Sequence, residues 1–344
     1  MNEKTNLKDL QFNELESLLV KMREPKFRAK QIFAWLYKGA NSFEEMKNIP
    51  ATLSDKLERE GCHVGIFKPL EVQVSKIDKT RKYLFELEDG NTIESVFMKY
   101  KYGNTICLSS QAGCRMGCSF CASTIGGLSR NLSAGEISEQ LLAAERDAGE
   151  IINHIVIMGS GEPFDNYENL SKFIKIINDP NGRGLGMRNI TISTCGLIPI
   201  IEKLARDFPQ VNLAISLHAP NDAIREKMMP INKKYPIAEL IDACRRYTKE
   251  TSRRITFEYT LVKGVNDSQA HALELSKLLK GMLCHVNLIP LNKVKETGLD
   301  TTEKQVAEEF KKILEKKGIP VTIRREMGDD IDGACGQLRL GRAK

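Results

Sequence analysis

Residues 113–121 of the chain read GCRMGCSFC, a Cys-x3-Cys-x2-Cys pattern made by Cys114, Cys118 and Cys121. Three thiolates this close in sequence can hold three irons of a four-iron, four-sulfur cluster, whereas the usual cluster takes four protein thiolates. A set that stops at three leaves one iron open to a substrate. A zinc site completed by a distant fourth ligand is the alternative, although zinc ligands more often come as two Cys-x2-Cys pairs.

The motif resembles the signature of radical S-adenosylmethionine (SAM) enzymes. In those enzymes the amino and carboxylate groups of SAM chelate the open iron, and an electron from the cluster breaks the S–C5′ bond. Phe120, just before the last cysteine, fits a loop folded over a cluster. The resemblance implies one four-iron cluster with three cysteine ligands, and SAM as its partner.

The composition is that of a soluble globular protein. The 344 residues are 41% hydrophobic and 28% charged. The polar start lacks the apolar core of a signal peptide, and no apolar run is long enough to span a bilayer. The nine cysteines therefore read as reduced thiols and a cofactor site, not as a disulfide framework. We expect a cytoplasmic protein without a membrane partner.

Basic residues occur in local clusters, although the net charge of +6 is too small to imply nucleic acid by itself. Alternating lysines and tyrosines, as in residues 99–102, can meet phosphates and stack on bases. The alternative for each cluster is a solvated charged face. The clusters are Lys79–Lys82, Lys99–Tyr102, Arg245–Arg246, Arg253–Arg254 and Arg324–Arg325.

The first part of the chain, residues 1–75, is predicted to be a mostly helical accessory domain. Apolar residues recur at three- and four-residue spacing in Leu7–Lys21 and Arg28–Lys38, and a shorter helix is predicted at Ser54–Gly61. Residues 76–104 predict a β-hairpin extension. Its two alternating runs, Lys82–Leu87 and Thr92–Phe97, flank an Asp-Gly-Asn turn.

Residues 105–344 alternate between predicted strands and helices, which favours a parallel sheet in an α/β fold. About six units are too few for an eight-fold barrel and predict an open, partial (β/α)6 barrel with its chemistry at the carboxyl ends of the strands. The predicted strands are Thr105–Ser109, His154–Met158, Asn189–Ser193, Asn212–Ser216, Ile255–Leu261, His285–Ile289 and Val321–Arg324. Predicted helices include Ala134–Ala148, Asn221–Met228, Ala238–Thr248, Ser268–Lys280 and Thr302–Lys317.

Small and polar residues follow several predicted strands, where they can converge on one ligand. Glycines in the Gly-Ser-Gly-Glu run at 159–162 let the backbone approach a ligand closely, and Glu162 can accept from the ammonium group of SAM. An ordinary turn with a solvated glutamate is the alternative. His218 is equally consistent with a structural residue, although its place at the rim favours ligand contact. Cys107 and Cys335, taken alone, read as buried structural thiols.

Eight further stretches resemble the RlmN/Cfr family of radical SAM RNA methyltransferases, and the resemblance runs through nearly the whole chain. The segment around Cys335 is highly specific to that family. The stretches are 109–114, 131–132, 159–163, 216–222, 230–232, 264–267, 286–290 and 328–338. The resemblance implies a radical SAM barrel for the core and RNA binding for residues 1–75.

The family implies a mechanism that uses two SAM molecules per turnover. One SAM methylates Cys335, and a radical derived from the second takes a hydrogen from that methyl group. The carbon then adds to an adenine ring, Glu94 acts as the base, and Cys107 forms a disulfide with Cys335 to release the product. For Glu94 the alternative is a hairpin residue that faces solvent. The SAM contacts implied by the match are Gly161, Glu162, Ser193, Ser216, Leu217, His218 and Asn292.

The family divides by the carbon that is methylated. RlmN-type enzymes act on C2 of one adenosine in 23S rRNA and of the adenosine beside the anticodon in certain tRNAs, whereas Cfr-type enzymes act on C8 of the same rRNA nucleotide. Pro163, the run 219–222 and Gly328-Asp329-Asp330 favour the RlmN type. A third hypothesis is a non-catalytic iron–sulfur or zinc protein that binds RNA. The family also suggests a monomer and a flavodoxin-type electron donor.

Overall fold

The computed structural model describes residues 4–339. The first three residues of the polar start and the last five residues of the predicted 105–344 unit therefore lie outside the described part of the chain. No helix within residues 4–339 is long and apolar enough to cross a membrane.

Within residues 4–339 there are fourteen β-strands and ten α-helices. The strands are β1 (Thr5–Asn6), β2 (Cys62–His63), β3 (Pro69–Val74), β4 (Arg81–Glu86), β5 (Thr92–Tyr100), β6 (Gly103–Leu108), β7 (Gln111–Gly113), β8 (Leu128–Asn131), β9 (His154–Ile157), β10 (Ile190–Thr194), β11 (Asn212–Ser216), β12 (Ile255–Leu261), β13 (Cys284–Pro290) and β14 (Val321–Ile323). The helices are α1 (Phe12–Lys21), α2 (Phe27–Tyr37), α3 (Ala51–Arg59), α4 (Ala134–Ala148), α5 (Tyr167–Asn178), α6 (Ile198–Asp207), α7 (Asp222–Met228), α8 (Ile237–Thr251), α9 (Gln269–Leu278) and α10 (Lys304–Lys316).

Seven parallel strands build the core of the molecule. They lie in the order β6, β9, β10, β11, β12, β13, β14, and each pairs in parallel with the next. At least one α-helix lies in each connection between neighbouring strands, as the alternation predicts. The sheet is open, with β14 at one edge and β3 at the other. The predicted α/β fold with an open, partial barrel is confirmed.

Three antiparallel strands extend this sheet beyond β6. The hairpin of β4 and β5 forms as predicted, with Glu86 opposite Thr92, and β5 pairs with β6. β3 pairs with β4 although it lies before residue 75, so the sheet reaches into the region predicted to be the accessory domain. Division of the chain at residues 75 and 104 stays a prediction.

The N-terminal helices are fixed to the core through α4. The ammonium of Lys8 forms an ion pair with Glu139 of α4, and both side chains are almost fully buried. Lys8 also donates to the carbonyl of Gly65 at 2.7 Å, and the N–H of Gly135 donates to Asp9 at 2.7 Å. Buried ion pairs are costly to break, so α1 to α3 keep a defined position against α4.

Candidate active site

The carboxyl ends of the parallel strands and the cysteine loop together enclose a cavity with about 930 Å³ of empty space, part of it open to solvent. The cavity brings together all but three of the residues that the sequence predicts for the site. Those that line it are Cys114, Cys118, Cys121, Gly161, Glu162, Ser193, Ser216, His218, Asn292 and Cys335.

Backbone contacts on both sides hold the cysteine loop in place. The N–H of Cys114 donates to Gly127 at 3.0 Å, and the N–H of Ser119 donates to Met228 at 2.9 Å. Beyond the last cysteine, the N–H of Ala122 donates to Gly336 at 2.7 Å. The loop is therefore attached to α7 and to the C-terminal segment that carries Cys335.

The three thiols fit an iron–sulfur cluster. Burial raises the pKa of all three, that of Cys114 to about 12, so the thiolate forms need a nearby positive charge such as iron supplies. No three acidic, His or Cys side chains within residues 4–339 are grouped to hold one metal ion. In a four-iron cluster each thiolate binds a different iron, so the sulfurs need not meet at one point.

Glu162 is buried at the end of β9, in the Gly-rich turn. Its carboxylate accepts from the hydroxyl of Thr194 at 2.6 Å and from the N–H of Cys195 at 2.7 Å. Burial raises its pKa. The neighbouring Gly161 has a φ of +107°, and a Cβ there would lie 2.6 Å from the side chain of Gln111. Glu162 is therefore not a solvated turn residue, because the turn holds it in the wall of the cavity.

His218 follows β11 with a positive φ of 54°, which is uncommon outside glycine. Its Nδ1 accepts from the N–H of Thr260 at 2.9 Å. Burial, with a smaller contribution from Arg225, lowers its pKa to about 3. The imidazole is therefore neutral at physiological pH and carries its proton on Nε2, which is free to donate to a ligand.

Cys335 lies between the main cavity and a second, smaller one. The side chain of Asn292 donates to the Cys335 carbonyl at 2.9 Å and so fixes the segment. Cys107, on β6, is buried and lines the second cavity together with Cys335 and Arg324. Both cysteines are free thiols, and burial raises the pKa of Cys107 to about 12. The structure thus brings the two predicted thiols to the same cavity.

Two other predicted residues lie outside both cavities. The side chain of Leu217 is fully buried, and its N–H donates to Glu258 at 3.1 Å. The Glu94 carboxylate lies 3.5 Å from the ammonium of Lys82 and accepts from the N–H of Arg339 at 2.7 Å. Its side chain is 13% exposed, so it does not face solvent as an ordinary hairpin residue would. Burial is the main effect on its pKa, which is raised.

Arg225, on α7, is a site residue that the sequence did not reveal. Its side chain is fully buried, and among residues 4–339 its guanidinium donates only to neutral oxygens. The shortest of these bonds, 2.7 Å, goes to the carbonyl of Cys195, and another goes to the carbonyl of Leu217. One side chain thus ties together the ends of β10 and β11, from which Ser193 and Ser216 reach the cavity.

Arg324, at the end of β14, is a second residue that the sequence did not assign to the site. Its side chain lines both cavities. The negative charge that Cys335 can carry is the main effect on the pKa of Arg324, which is raised. Arg324 therefore lies in the wall of the cavity that Cys107 and Cys335 share.

Two family models match the chain. Residues 108–275 match the radical SAM superfamily, and residues 5–62 match the ribosomal RNA large subunit methyltransferase N-terminal domain. The first match contains the cysteine loop and the ends of β9 to β12, and the second contains α1 to α3.

Relatives match over almost the full length. A probable dual-specificity RNA methyltransferase RlmN of Clostridium novyi is 55% identical over 335 residues, which are 97% of each chain. The protein of the same description from Clostridioides difficile is 52% identical over 339 residues, 98% of each chain. A crystal structure of a radical SAM methyltransferase from Sphaerobacter thermophilus superposes with a TM-score of 0.93 at 47% identity, covering 97% of this chain and 99% of that one.

Proposed function

The chain belongs to the RlmN family of radical SAM enzymes, and from this premise we propose that it methylates C2 of adenosine in 23S rRNA and in tRNA beside the anticodon. The observation that carries the proposal is the cavity that joins the three cysteines of the loop, the strand ends and Cys335. An enzyme that only passes electrons would not need a free thiol opposite its cluster.

Cys114, Cys118 and Cys121 are the proposed ligands of one four-iron cluster. When bound, the cluster and SAM supply a methyl group and a carbon radical. The strand ends hold SAM: Glu162 accepts from its ammonium group, neutral His218 donates a hydrogen bond, and the small residues at 161, 193 and 216 leave room for it. Leu217 would act through its backbone, since its side chain is buried away from the cavity.

Cys335 and Cys107 are the proposed carriers of the covalent chemistry. A ring carbon of adenine is electrophilic, so a thiol must carry the methyl carbon before transfer. Cys335 takes this role because it lines both the main cavity and the second cavity, where Cys107 lies. Cys107 shares the second cavity with Cys335 and would displace the methylated base by forming a disulfide with it. Two SAM molecules are used per turnover.

Glu94 is the proposed acceptor of the adenine ring proton. Burial raises its pKa, which makes the carboxylate a stronger base. The N–H of Arg339 holds the carboxylate, so the C-terminal segment lies directly over the proposed base. The extension 76–104 would then contribute to catalysis, residues 1–75 would bind RNA, and residues 105–344 would form the catalytic core.

The experiment is mass spectrometry of nucleosides from a 23S rRNA fragment and from tRNA. Each RNA is incubated with the anaerobically reconstituted protein, SAM and a reductant such as flavodoxin. We expect 2-methyladenosine, whereas 8-methyladenosine would favour the Cfr-type reaction. Cys335→Ala should abolish methyl transfer, while Cys62→Ala, a buried thiol of β2 outside both cavities, should retain it. Methyl transfer by Cys335→Ala would refute the thiol mechanism, and a non-catalytic RNA-binding protein would give no methyl product at all.

A further inference from the structure

Two tyrosines stack where β5 turns into β6. Tyr100 is the last residue of β5, and Tyr102 lies in the turn. Their ring centroids are 4.9 Å apart and the planes differ by 8°. Tyr102 is 67% exposed, and the ring of His154 meets it edge-on at 5.4 Å. The result is a two-ring stack with one end in solvent.

The inner end of this stack reaches the proposed reactive thiols. Every second residue at the end of β5 lies on the face of the sheet that lines the second cavity. These residues are Val96, Met98 and Tyr100. Cys107 and Cys335 line the same cavity. A continuous path therefore runs from exposed Tyr102, over half-buried Tyr100, to the two cysteines.

The cysteine loop and the C-terminal segment meet at the opposite end of the barrel. They are joined there by the bond from the Ala122 N–H to the Gly336 carbonyl and by the hydroxyl of Ser123, which donates to the Leu338 carbonyl at 2.7 Å. The turn with Tyr102 precedes β6, so it lies at the amino end of the parallel strands, away from this contact. A base that enters the second cavity from this side would reach Cys335 along the tyrosines.

The surroundings of the stack suit a polyanion. Exposed Lys101 lies between the two tyrosines in sequence. The second cavity is lined by Arg324, Arg325 and Glu326, so positive side chains outnumber negative ones there. The phenols are uncharged at neutral pH, because the ordinary pKa of tyrosine is about 10 and burial raises the pKa of both, so the rings do not repel phosphates.

We propose that Tyr102 is a stacking platform for the base next to the target adenosine, and that Tyr100 continues this platform toward Cys335. The inference rests on the proposed function. An enzyme that acts on a ring carbon must take the base out of its stack, and this leaves the neighbouring base without a partner. An exposed aromatic face at the entrance replaces that partner without sequence readout.

The test measures binding of a 23S rRNA stem-loop in which 2-aminopurine replaces the base on either side of the target, one side at a time. Fluorescence anisotropy gives the affinity, and quenching of 2-aminopurine reports stacking. Tyr102→Ala should weaken binding about tenfold and remove the quenching, since one base–aromatic stack is lost. Tyr102→Phe keeps the ring and should match the wild type. Leu273→Ala, an exposed apolar residue on the outer helix α9, is the control and should change neither value.

The proposal would be overturned if Tyr102→Ala bound the RNA as tightly as the wild type or still quenched 2-aminopurine fully. It would also be overturned if the wild-type chain did not bind the RNA. A slower reduction by a flavodoxin-type donor in Tyr102→Ala, with RNA affinity unchanged, would overturn it too and assign the surface to the donor. Failure of the proposed function would look different: the wild type would bind and quench but form no methyladenosine.

Discussion

Replacing Arg225 with methionine tests whether this buried guanidinium holds together the strand ends that we propose to bind SAM. Methionine fills a similar volume but donates no hydrogen bond. Three acceptors would each lose the hydrogen-bond donor that Arg225 supplies. They are the carbonyls of Cys195 and Leu217 and the side-chain oxygen of Asn232. All three residues are buried, so water does not readily replace that donor.

The expected cost follows from these three acceptors. A buried acceptor left unsatisfied costs about 1–3 kcal/mol, so the sum is about 3–9 kcal/mol. Part of this loss is offset. The guanidinium is a buried charge with no carboxylate bonded to it, so its removal also removes the desolvation cost of burying it. We therefore expect Arg225→Met to lower the free energy of unfolding by about 3 kcal/mol, near the lower end of the sum.

Urea denaturation of the apoprotein, followed by far-UV circular dichroism, measures this free energy. Arg246→Met is the matched control, since the side chain of Arg246 is 56% exposed and Glu202 is its one ion-pair partner in the described part of the chain. This variant should change stability by less than about 0.5 kcal/mol. SAM binding to Arg225→Met should weaken about tenfold, because a shift of the strand ends misplaces Ser216. Arg225→Met as stable as the control variant, with unchanged SAM affinity, would refute the reasoning.

Two further predictions concern the same rim. Gly161→Ala should bind SAM at least about tenfold more weakly in equilibrium dialysis. The added Cβ would clash with Gln111 and displace the turn that carries Glu162. Unchanged SAM affinity would contradict the close contact between Gly161 and Gln111. His218 has a folded pKa of about 3, below its unfolded value, so the unfolded chain binds this proton first and stability falls as the pH drops below about 6.5. Between pH 7 and pH 5 the free energy of unfolding, measured by urea denaturation, should fall by about 2 kcal/mol because of this residue. This fall should be absent from His218→Gln. Equal pH dependence in both proteins would show that burial does not lower the pKa of His218.

The parallel core could be predicted from the sequence because its strands and helices differ in period. β11 and β12 have the predicted bounds, and α4 begins and ends at the predicted residues. Buried parallel strands are short apolar runs, and amphipathic helices repeat about every 3.6 residues, so each segment carries its own local signal. The hairpin of β4 and β5 was equally local, since its Asp-Gly turn fixes the pairing of the strands.

From the pattern of residues, the site could be predicted where cysteines are closely spaced and where polar residues lie in the turn after a strand. Glu162 and His218 lie in the turns after β9 and β11, and the carboxyl ends of parallel strands meet at one edge. Arg225 lies on α7 among Asp222, Glu226 and Lys227, where an arginine looks like any solvated helix residue. It is buried because the ends of β10 and β11 present free carbonyls to α7, and that depends on the tertiary packing.

The C-terminal segment explains why the hairpin extension and the cluster loop form one site although they are far apart in sequence. The N–H of Gly328 donates to Asp78 at 3.0 Å, and the N–H of Arg339 donates to Glu94. Between these two points in sequence, the carbonyl of Gly336 accepts a hydrogen bond from the N–H of Ala122, just after the cysteine loop. The segment that carries Cys335 is thus attached on one side to the extension and on the other to the cysteine loop. We therefore expect a change in the hairpin to shift Cys335 itself, and we predict that the extension acts as part of the proposed active site and not as a linker.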